Sequence, residues 1–493
     1  MELTSVLQSG DLATYLVACL ACCFIYAYYF RNRLDIPGPF ALPFLGNFFT
    51  LVLQRNRNVL YRLQKIYGNI FRVYFGRRLV VVICGKDLIN DAFIKQADSF
   101  SDRPNGMSGI KKKMEPGLIW SNGHTWKVLR RFTVQSMRDF GLGKKILEER
   151  ILEECNVVLR EMANTESQPF SIRDLYRNAV SNVTHTIIFG KRCDYNDPEF
   201  RDVIDSISLI FNMSLGGLSP TTIWPFLKLF IKDEAVTRWR CLTNITNYIE
   251  AQVKEHESSF DEENIRDFID AYLQAKKNDK DTDIITPKQL FRVILNLFNA
   301  GTDTTAASLD WSALYMISYP DVQEKCQREI DEIVGHGRKV QMSDKSQLPY
   351  VEATLLEIQR LANVAIASLP HVATRDSIVG GYRIPEGAIV LAHLQLTHED
   401  SSCWDDPLAF KPDRFLDSDG KIRKYDAFMP FSIGPRACPG DSLAKKVMFL
   451  MFCNTLQRFN LIKREEDDVL SHEGDVGITR SPKPYQLKLF PRK

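Results

Sequence analysis

Apolar residues recur at helical spacing along most of the chain, which predicts a mainly α-helical fold. The longest such segment runs from about Pro287 to Ile317 and is apolar on nearly every side, so we expect it to be buried. Its centre, residues 300–305, contains a glycine, three threonines and an acid, which are unfavourable in a helix by roughly 0.5–1 kcal/mol each relative to alanine. We therefore expect the helix to widen there and free a threonine hydroxyl from its own backbone.

Short runs of β-branched and aromatic residues predict small peripheral β-sheets. Residues 70–84 contain two such runs around Gly76 and predict a hairpin. Residues 382–384, 388–391 and 486–490 predict further strands. The expected fold class is mainly α with small peripheral β-sheets.

The N-terminal region predicts one transmembrane helix. Residues 12–30 carry no charge and are just long enough to cross a bilayer. Arg31 and Arg33 follow, so the positive-inside rule leaves the rest of the chain in the cytosol. A cleaved signal peptide is the competing interpretation, but the leader lacks a basic n-region and the apolar run is long.

Three prolines between residues 36 and 43 make the next segment stiff and extended, so it can hold a following domain at a set angle to the membrane. A simple helix stop after the anchor is the alternative. We expect an anchor at 1–33, a proline-rich hinge at 34–47 and one catalytic domain at 48–493. Within that domain, residues 205–230 suggest either a mobile lid over an apolar pocket or plain core packing.

Composition narrows the function only slightly. The 493 residues carry a net charge of +2, which gives no indication of nucleic-acid binding. Eleven cysteines lie scattered without zinc or disulfide-framework spacing, so most are expected to be free thiols. Gly-x-Gly-x-x-Gly and Walker patterns are absent from the sequence, so we expect no NADPH or flavin site in this chain.

One cysteine lies in a glycine-containing loop, residues 431–440, directly before a predicted helix. Free N–H groups and the dipole at a helix N-terminus favour an anion, so the thiol of Cys438 can be held as a thiolate. Gly434 and Gly440 allow tight turns and the close approach of a flat ligand, and Arg436 can pair with a carboxylate. Taken alone, a cysteine beside glycines is more often a small buried hydrophobic residue.

The whole pattern F-x-x-G-x-R-x-C-x-G, formed by Phe431, Gly434, Arg436, Cys438 and Gly440, resembles the haem-binding signature of the cytochrome P-450 superfamily, the haem-thiolate monooxygenases. The resemblance implies that these residues bind haem b and that Cys438 is the axial ligand of its iron. It extends over nearly the whole chain and is closest to the animal microsomal branch that oxidises drugs, steroids and fatty acids (family-two-like).

Further residues match positions around the haem. Trp126 and Arg130 are four residues apart on one helical face and can bind a carboxylate jointly, although such a pair is more often a surface cation–π contact. The resemblance to the W-x-x-x-R helix of the family implies that Arg103, Trp126, Arg130 and His371 hold the haem propionates, and that Ala300 contacts the haem.

The run from Ala300 to Thr305 resembles the family motif [AG]-G-x-[DE]-T-T. The resemblance implies that Thr304 hydrogen-bonds to oxygen and that Asp303 relays protons from solvent. A packing notch for a crossing helix is the alternative for this run, and a buried acid such as Asp303 can also be purely structural.

Glu357 and Arg360 resemble the E-x-x-R helix of the family, and Arg414 resembles the arginine that completes its buried charge triad. The resemblance implies a structural role for all three. Two positions depart from the pattern, because Ile366 stands where related enzymes often carry proline and Asp441 stands where glutamate is common.

The resemblance also implies which residues would line a substrate pocket, and these are small or apolar, which implies a lipophilic substrate. They are Ile119, Phe211, Ala300, Ala365, Leu369 and Thr479.

Basic residues would surround the haem-side face and could steer an acidic partner, although charge runs are usually solvated faces. They are Lys127, Arg131, Arg138, Lys445 and Lys446. The resemblance implies electrons from NADPH through a flavoprotein reductase, with cytochrome b5 as a further candidate donor. It also implies a single-pass protein of the endoplasmic reticulum membrane with its catalytic domain in the cytosol.

The function implied is insertion of one atom of O2 into a lipophilic fatty acid, steroid or xenobiotic, by hydroxylation or epoxidation. Two alternatives remain open: a reductase-independent haem-thiolate isomerase or dehydratase of lipid peroxides, and a non-catalytic membrane haem-binding protein. An intact Asp303–Thr304 pair argues against the first, because that chemistry needs no distal protonation.

Overall fold

The computed structural model describes residues 12–26, 34–53, 59–105, 117–139, 145–213, 221, 224–230, 234–278 and 283–492. These residues are mainly helical with small sheets, as the apolar periodicity predicts. The α-helices are α1 (Leu12–Tyr26), α2 (Val59–Tyr67), α3 (Lys86–Asn90), α4 (Ala97–Phe100), α5 (Gly117–Trp120), α6 (Gly123–Asp139), α7 (Lys145–Ala163), α8 (Ile172–Phe189), α9 (Pro198–Asn212), α10 (Glu234–Ser259), α11 (Phe268–Asn278), α12 (Pro287–Ser318), α13 (Pro320–Ile333), α14 (Pro349–Ala362), α15 (Leu394–His398) and α16 (Asp441–Arg458). Short 3-10 or π turns lie at Phe49–Leu53, Asp91–Lys95, Pro225–Leu229, Met342–Gln347 and Pro412–Phe415.

The strands are short and form small sheets. They are β1 (Ile70–Phe75), β2 (Arg78–Ile83), β3 (His371–Val372), β4 (Ser377–Val379), β5 (Tyr382–Ile384), β6 (Ile389–Ala392), β7 (Phe459–Lys463), β8 (Asp475–Val476), β9 (Arg480–Ser481) and β10 (Leu487–Pro491). One sheet has the order β1-β2-β6-β3, and the pairs β4-β5, β7-β10 and β8-β9 form two-stranded sheets. The predicted hairpin is confirmed as the antiparallel pair β1-β2, in which Val73 lies opposite Val80. The strands predicted near 382–384, 388–391 and 486–490 are β5, β6 and β10.

The chain divides into two compact units. The first comprises residues 1–104, 220–232 and 367–396, and the second comprises residues 105–219, 233–366 and 397–493.

In the first unit, the proline-rich segment predicted as a hinge is fixed along β1. The backbone N–H of Arg72 donates to Pro37 O at 2.8 Å, and Asn47 Oδ1 accepts from the N–H of Tyr74 at 2.7 Å. Gly38 leaves room for this contact, because a Cβ there would lie 2.3 Å from Arg72 O. Hydrogen bonds therefore join this segment to β1. Of the lid region predicted at 205–230, residues 214–220 and 222–223 lie outside the described residues.

In the second unit, α12 confirms the long helix predicted from Pro287 and runs through the core. Its first half packs with α9, α10 and α11 in one apolar cluster, and its second half packs with α7, α8, α13, α14 and α16 in another. The polar centre at 300–305 lies between the two clusters. Gly301 permits a close crossing with α8, because an added Cβ would lie 2.9 Å from Thr184 Oγ1.

The N-terminal helix α1 covers most of the span predicted to cross a membrane. Within the described residues, no helix is both long and apolar enough to span a bilayer. Residues 27–33, which include the last part of the predicted span and the two arginines after it, lie outside the described residues.

Candidate active site

The loop that carries Cys438 has the tight geometry that its glycines predict. Gly434 has a φ of +83°, in the left-handed region that favours glycine. The N–H of Cys438 donates to Phe431 O at 3.0 Å, which closes the loop ahead of α16. A Cβ at Gly440 would lie 4.0 Å from Cys438 Sγ, an ordinary contact distance, so Gly440 is a direct neighbour of the sulfur.

Cys438 is the one exposed cysteine among the described residues of the second unit, where the others are buried or half-buried. Cysteine is among the residue types most often buried, so an exposed thiol in a well-packed loop points to a ligand. Desolvation by the surrounding protein raises the pKa of the Cys438 thiol, while the N–H of Gly440 and the charge of Arg130 oppose this. The N–H of Gly440 and the charge of Arg130 favour the thiolate, but desolvation outweighs them. A coordinated metal ion deprotonates a thiol outright, and coordination would supply what the helix does not.

Two side chains of α6, those of Trp126 and Arg130, contact the Cys438 loop. The guanidinium of Arg436 stacks 3.9 Å from the ring centroid of Trp126. Arg130 Nη2 donates to Ala437 O at 2.8 Å. Arg436 Nη2 also donates to Ser121 O at 2.5 Å. The structure thus brings three residues predicted to bind propionates next to the cysteine.

The centre of α12 presents an accessible stripe in an otherwise buried helix. Ala300 is exposed, and Leu297, Thr304 and Ser308 are half-buried on the same face. The predicted widening is wrong, because α12 is an unbroken α-helix and Thr304 Oγ1 donates to Ala300 O at 2.8 Å. A hydroxyl that back-bonds in this way is satisfied within a regular helix.

Asp303 lies one position away from that stripe and is buried. Its Oδ2 accepts a hydrogen bond of 2.6 Å from Thr479 Oγ1. Burial raises the pKa of Asp303, and this hydrogen bond is the largest opposing effect. Thr479, predicted to line the pocket, is itself buried with its hydroxyl committed to Asp303. Nothing in the sequence signals this pairing, because the partners are 176 residues apart.

The remaining pocket candidates of the second unit differ in exposure. Ala365 is exposed, Ile119 is half-buried and Phe211 is buried. The N–H of Ile119 donates to Asn296 Oδ1 at 3.1 Å, and the N–H of Gly117 donates to Gln289 Oε1 at 3.2 Å. Two amide side chains of α12 therefore hold α5 in place.

Arg103 and His371 come together within the first unit. Arg103 is buried, and its Nη1 donates to Leu369 O at 2.8 Å and to Pro370 O at 2.9 Å. His371 Nδ1 lies 2.6 Å from Phe100 O. Leu369 is the partly exposed member of this group, at 39%.

Glu357, Arg360 and Arg414 form a fully connected buried network. Glu357 Oε2 lies 2.7 Å from Arg360 Nε, and Glu357 Oε1 lies 3.0 Å from Arg414 Nε. Arg360 Nη1 donates further to the carbonyls of His398 and Pro407 at 2.8 and 2.7 Å. Every charge is thus paired, which a buried ionic network requires.

The basic residues predicted on the haem-side face are mostly exposed. Lys127, Arg131 and Arg138 share one side of α6. Lys445 pairs with Asp441 at 3.1 Å, and Lys446 is half-buried.

The residues of the second unit fit a haem. An exposed thiol with a glycine beside it, two nearby guanidinium groups and an accessible stripe on α12 match the needs of a flat, anionic, iron-containing ligand.

Comparison with known proteins gives the same result. Residues 36–489 match the family model for cytochrome P450. The chain is 38% identical over 485 residues to cytochrome P450 2U1 of Rattus norvegicus, covering 92% of this chain and 90% of that protein. It is 37% identical over 469 residues to cytochrome P450 2C23 of Rattus norvegicus, covering 94% of each, and 35% identical over 459 residues to cytochrome P450 2J2 of Homo sapiens, covering 92% and 91%. This chain therefore belongs to the cytochrome P450 family and is a haem monooxygenase of the cysteine-thiolate type.

Proposed function

We propose that this enzyme inserts one oxygen atom of O2 into a lipophilic fatty acid, steroid or xenobiotic, with electrons delivered from NADPH through a flavoprotein reductase. The observation that carries the proposal is the exposed Cys438 thiol in its glycine-containing loop. When bound, haem with a thiolate ligand supplies O2 activation and O–O cleavage. The chain itself must bind the cofactor, exclude water and provide protons.

For cofactor binding, we propose Cys438 as the iron ligand and the Arg436–Trp126–Arg130 group as the propionate site of the second unit. The stacked Arg436 is pre-oriented by its contact with Trp126, so less side-chain entropy is lost on binding. The proposed propionate role of Arg103 and His371 is supported by their burial and by the resemblance to the family.

For proton supply, we propose Thr304 and Asp303. A hydroxyl has one donor and two acceptor lone pairs. Because Thr304 already donates to Ala300 O, it can accept a hydrogen bond without rearranging, but it can donate to oxygen only by leaving that carbonyl. Asp303, held by Thr479, would exchange protons with solvent from a position where its pKa is raised by burial.

For location, we propose an anchor at 1–33, a hinge segment at 34–47 and a catalytic domain at 48–493 that faces the cytosol from the endoplasmic reticulum membrane. The apolar span at 12–30 and the resemblance to the microsomal branch support this arrangement. The exposed cations of α6 support docking of an acidic reductase, with cytochrome b5 as a further donor.

The test is product analysis of the haem-loaded protein with reductase, NADPH and a panel of unsaturated fatty acids, steroids and lipophilic xenobiotics. Products that gain one oxygen only when NADPH is present support the proposal and give the substrate class. Conversion of lipid peroxides without NADPH, and no oxygenated product from the panel, would contradict it and favour an isomerase or dehydratase. Cys438→Ser should lose the absorption change that carbon monoxide causes in the reduced haem-thiolate protein, whereas Cys403→Ser should keep it.

A further inference from the structure

A groove of about 680 Å³ lies in the first unit and includes none of the residues assigned to the candidate active site. One wall is formed by residues 94–99, where the Asp91–Lys95 turn passes into α4. The other is formed by residues 375–378, which lead into β4, together with Arg383 of β5.

Side-chain hydrogen bonds join the two walls. Arg375 Nε donates to the buried Ser99 Oγ at 2.8 Å. Gln96 Nε2 donates to Ile378 O at 2.7 Å. Segments separated by about 280 residues are thus tied at two points, so the groove is a fixed feature of the unit.

The groove carries cations that no acid neutralises. Lys95 and Arg375 are exposed and make no ion pair within the part of the chain that the structure describes. Arg383 is paired with Asp376, so this arginine and this acid cancel. Asp98 is the remaining acid, which leaves two available cations against one carboxylate. Because Ser99 engages only Nε of Arg375, the terminal amino groups of the guanidinium remain available for a bidentate contact with a carboxylate.

Exposed apolar side chains flank the same cations. Ile94 is 48% exposed and Ile378 is 64% exposed. A small inorganic anion would pair with the cations and leave these isoleucine side chains exposed to water. A molecule with an anionic head and an apolar chain would use both.

We propose that this groove binds a long-chain carboxylate, such as a fatty acid, at a site separate from the catalytic pocket. Lys95 and Arg375 hold the carboxylate, and Ile94 and Ile378 contact the first part of the alkyl chain. The proposal does not depend on which substrate the enzyme oxidises.

The experiment uses the full-length haem-loaded protein and dodecanoic acid with a photoreactive diazirine on the carbon chain. After irradiation, peptide mapping by mass spectrometry locates the probe without relying on turnover. We expect cross-links on residues 94–99 and 375–378 that unlabelled dodecanoate displaces and dodecanol does not. The half-saturating probe concentration should rise about three- to tenfold in Lys95→Ala and in Arg375→Ala, and should also rise with NaCl concentration.

Arg78→Ala is the matched control, because Arg78 is an exposed cation of the same unit outside the groove, and labelling should not change. If Arg375→Ala fails to fold, probe labelling of Lys95→Ala still tests the proposal. Lys95 makes no ion pair within the described residues, so its loss should not prevent folding. Unchanged labelling in Lys95→Ala would overturn the proposal. So would displacement of the probe by inorganic phosphate, at equal ionic strength, as effectively as by dodecanoate, because the site would then select an anion alone.

Discussion

The hydrogen bond from Thr479 to Asp303 allows the proposed proton role of Asp303 to be tested by one substitution. Thr479→Val keeps the branched shape and removes the donor that lies 2.6 Å from Asp303 Oδ2. A hydrogen bond to a charged group contributes about 1.5–3 kcal/mol. One pKa unit corresponds to about 1.36 kcal/mol, so the substitution should raise the pKa of Asp303 by about 1–2 units above its already raised value.

The assay is the pH dependence of product formation at saturating substrate, with NADPH consumption measured in parallel. If Asp303 relays protons, part of the change of product formation with pH follows its pKa. That part of the curve should move to higher pH by about 1–2 units in Thr479→Val. Product formed per NADPH should fall at the same time. Slower proton delivery would let more NADPH be consumed without forming oxygenated product.

Thr302→Val is the matched control. Thr302 adjoins Asp303 on α12, is fully buried, and its Oγ1 has no hydrogen-bond partner within the described residues. This substitution should leave the pH profile in place. A shift of less than about 0.3 unit in Thr479→Val, with haem content unchanged, would refute the relay role and leave Asp303 as a structural acid.

Three further substitutions test other parts of the molecule. Thr304→Ala should lower product formed per NADPH by about tenfold or more with haem retained, because a hydroxyl that assists proton transfer typically contributes this much or more. Glu357→Gln should lower the free energy of unfolding by about 3–5 kcal/mol in denaturant titrations, because it leaves buried arginines without their counter-charge. His256→Gln should remove a pH-dependent part of stability, since burial lowers the pKa of His256 but Asp267, at 2.7 Å, together with the Gln252 carbonyl and Asp270, raises it by more. That stability is fully present below about pH 6.5 and is lost as the pH rises through the raised pKa.

The first two substitutions have control variants, and each of the three has a result that would contradict it. Ser308→Ala removes a hydroxyl one turn after Thr304 on the same face, and equal uncoupling in both variants would contradict a specific role for Thr304. Lys445→Ala breaks an exposed pair and should change the free energy of unfolding by less than about 1 kcal/mol. A Glu357→Gln variant that is no less stable than this control would show that the triad is dispensable. If the unfolding free energy of His256→Gln still falls between pH 6 and pH 9 as it does in the parent, a group other than His256 causes the pH dependence of stability.

Local pattern was enough to predict the elements that frame the site. The spacing of apolar residues predicted α12 close to its observed bounds, and runs of β-branched residues predicted β1 and β2. The glycines and the cysteine of residues 431–440 predicted the loop, because its tight turn depends on residues within ten positions.

What the sequence could not predict depends on contacts between distant segments. Arg436 was expected to pair with a carboxylate, but which aromatic ring it stacks on is decided by the approach of α6. The partner of Asp303 lies 176 residues away. The widening of α12 was predicted from weak helix propensity, yet the hydroxyl of Thr304 finds its acceptor inside the regular helix. The regular helix and the widened helix can both satisfy the Thr304 hydroxyl. Helix propensity alone does not predict which of these two conformations the surrounding packing selects.

The same packing explains how α12 tolerates a centre made of residues with weak helix propensity. Each unfavourable residue there costs roughly 0.5–1 kcal/mol relative to alanine. The apolar clusters on either side fix the two halves of the helix independently, and a single fully buried leucine such as Leu309 contributes about 1.5–3 kcal/mol. A few buried side chains on each side therefore offset the whole cost of the centre. The helix can therefore present Ala300 and Thr304 on an accessible stripe, where the proposed reaction would use a small surface and a hydroxyl, within one unbroken α-helix.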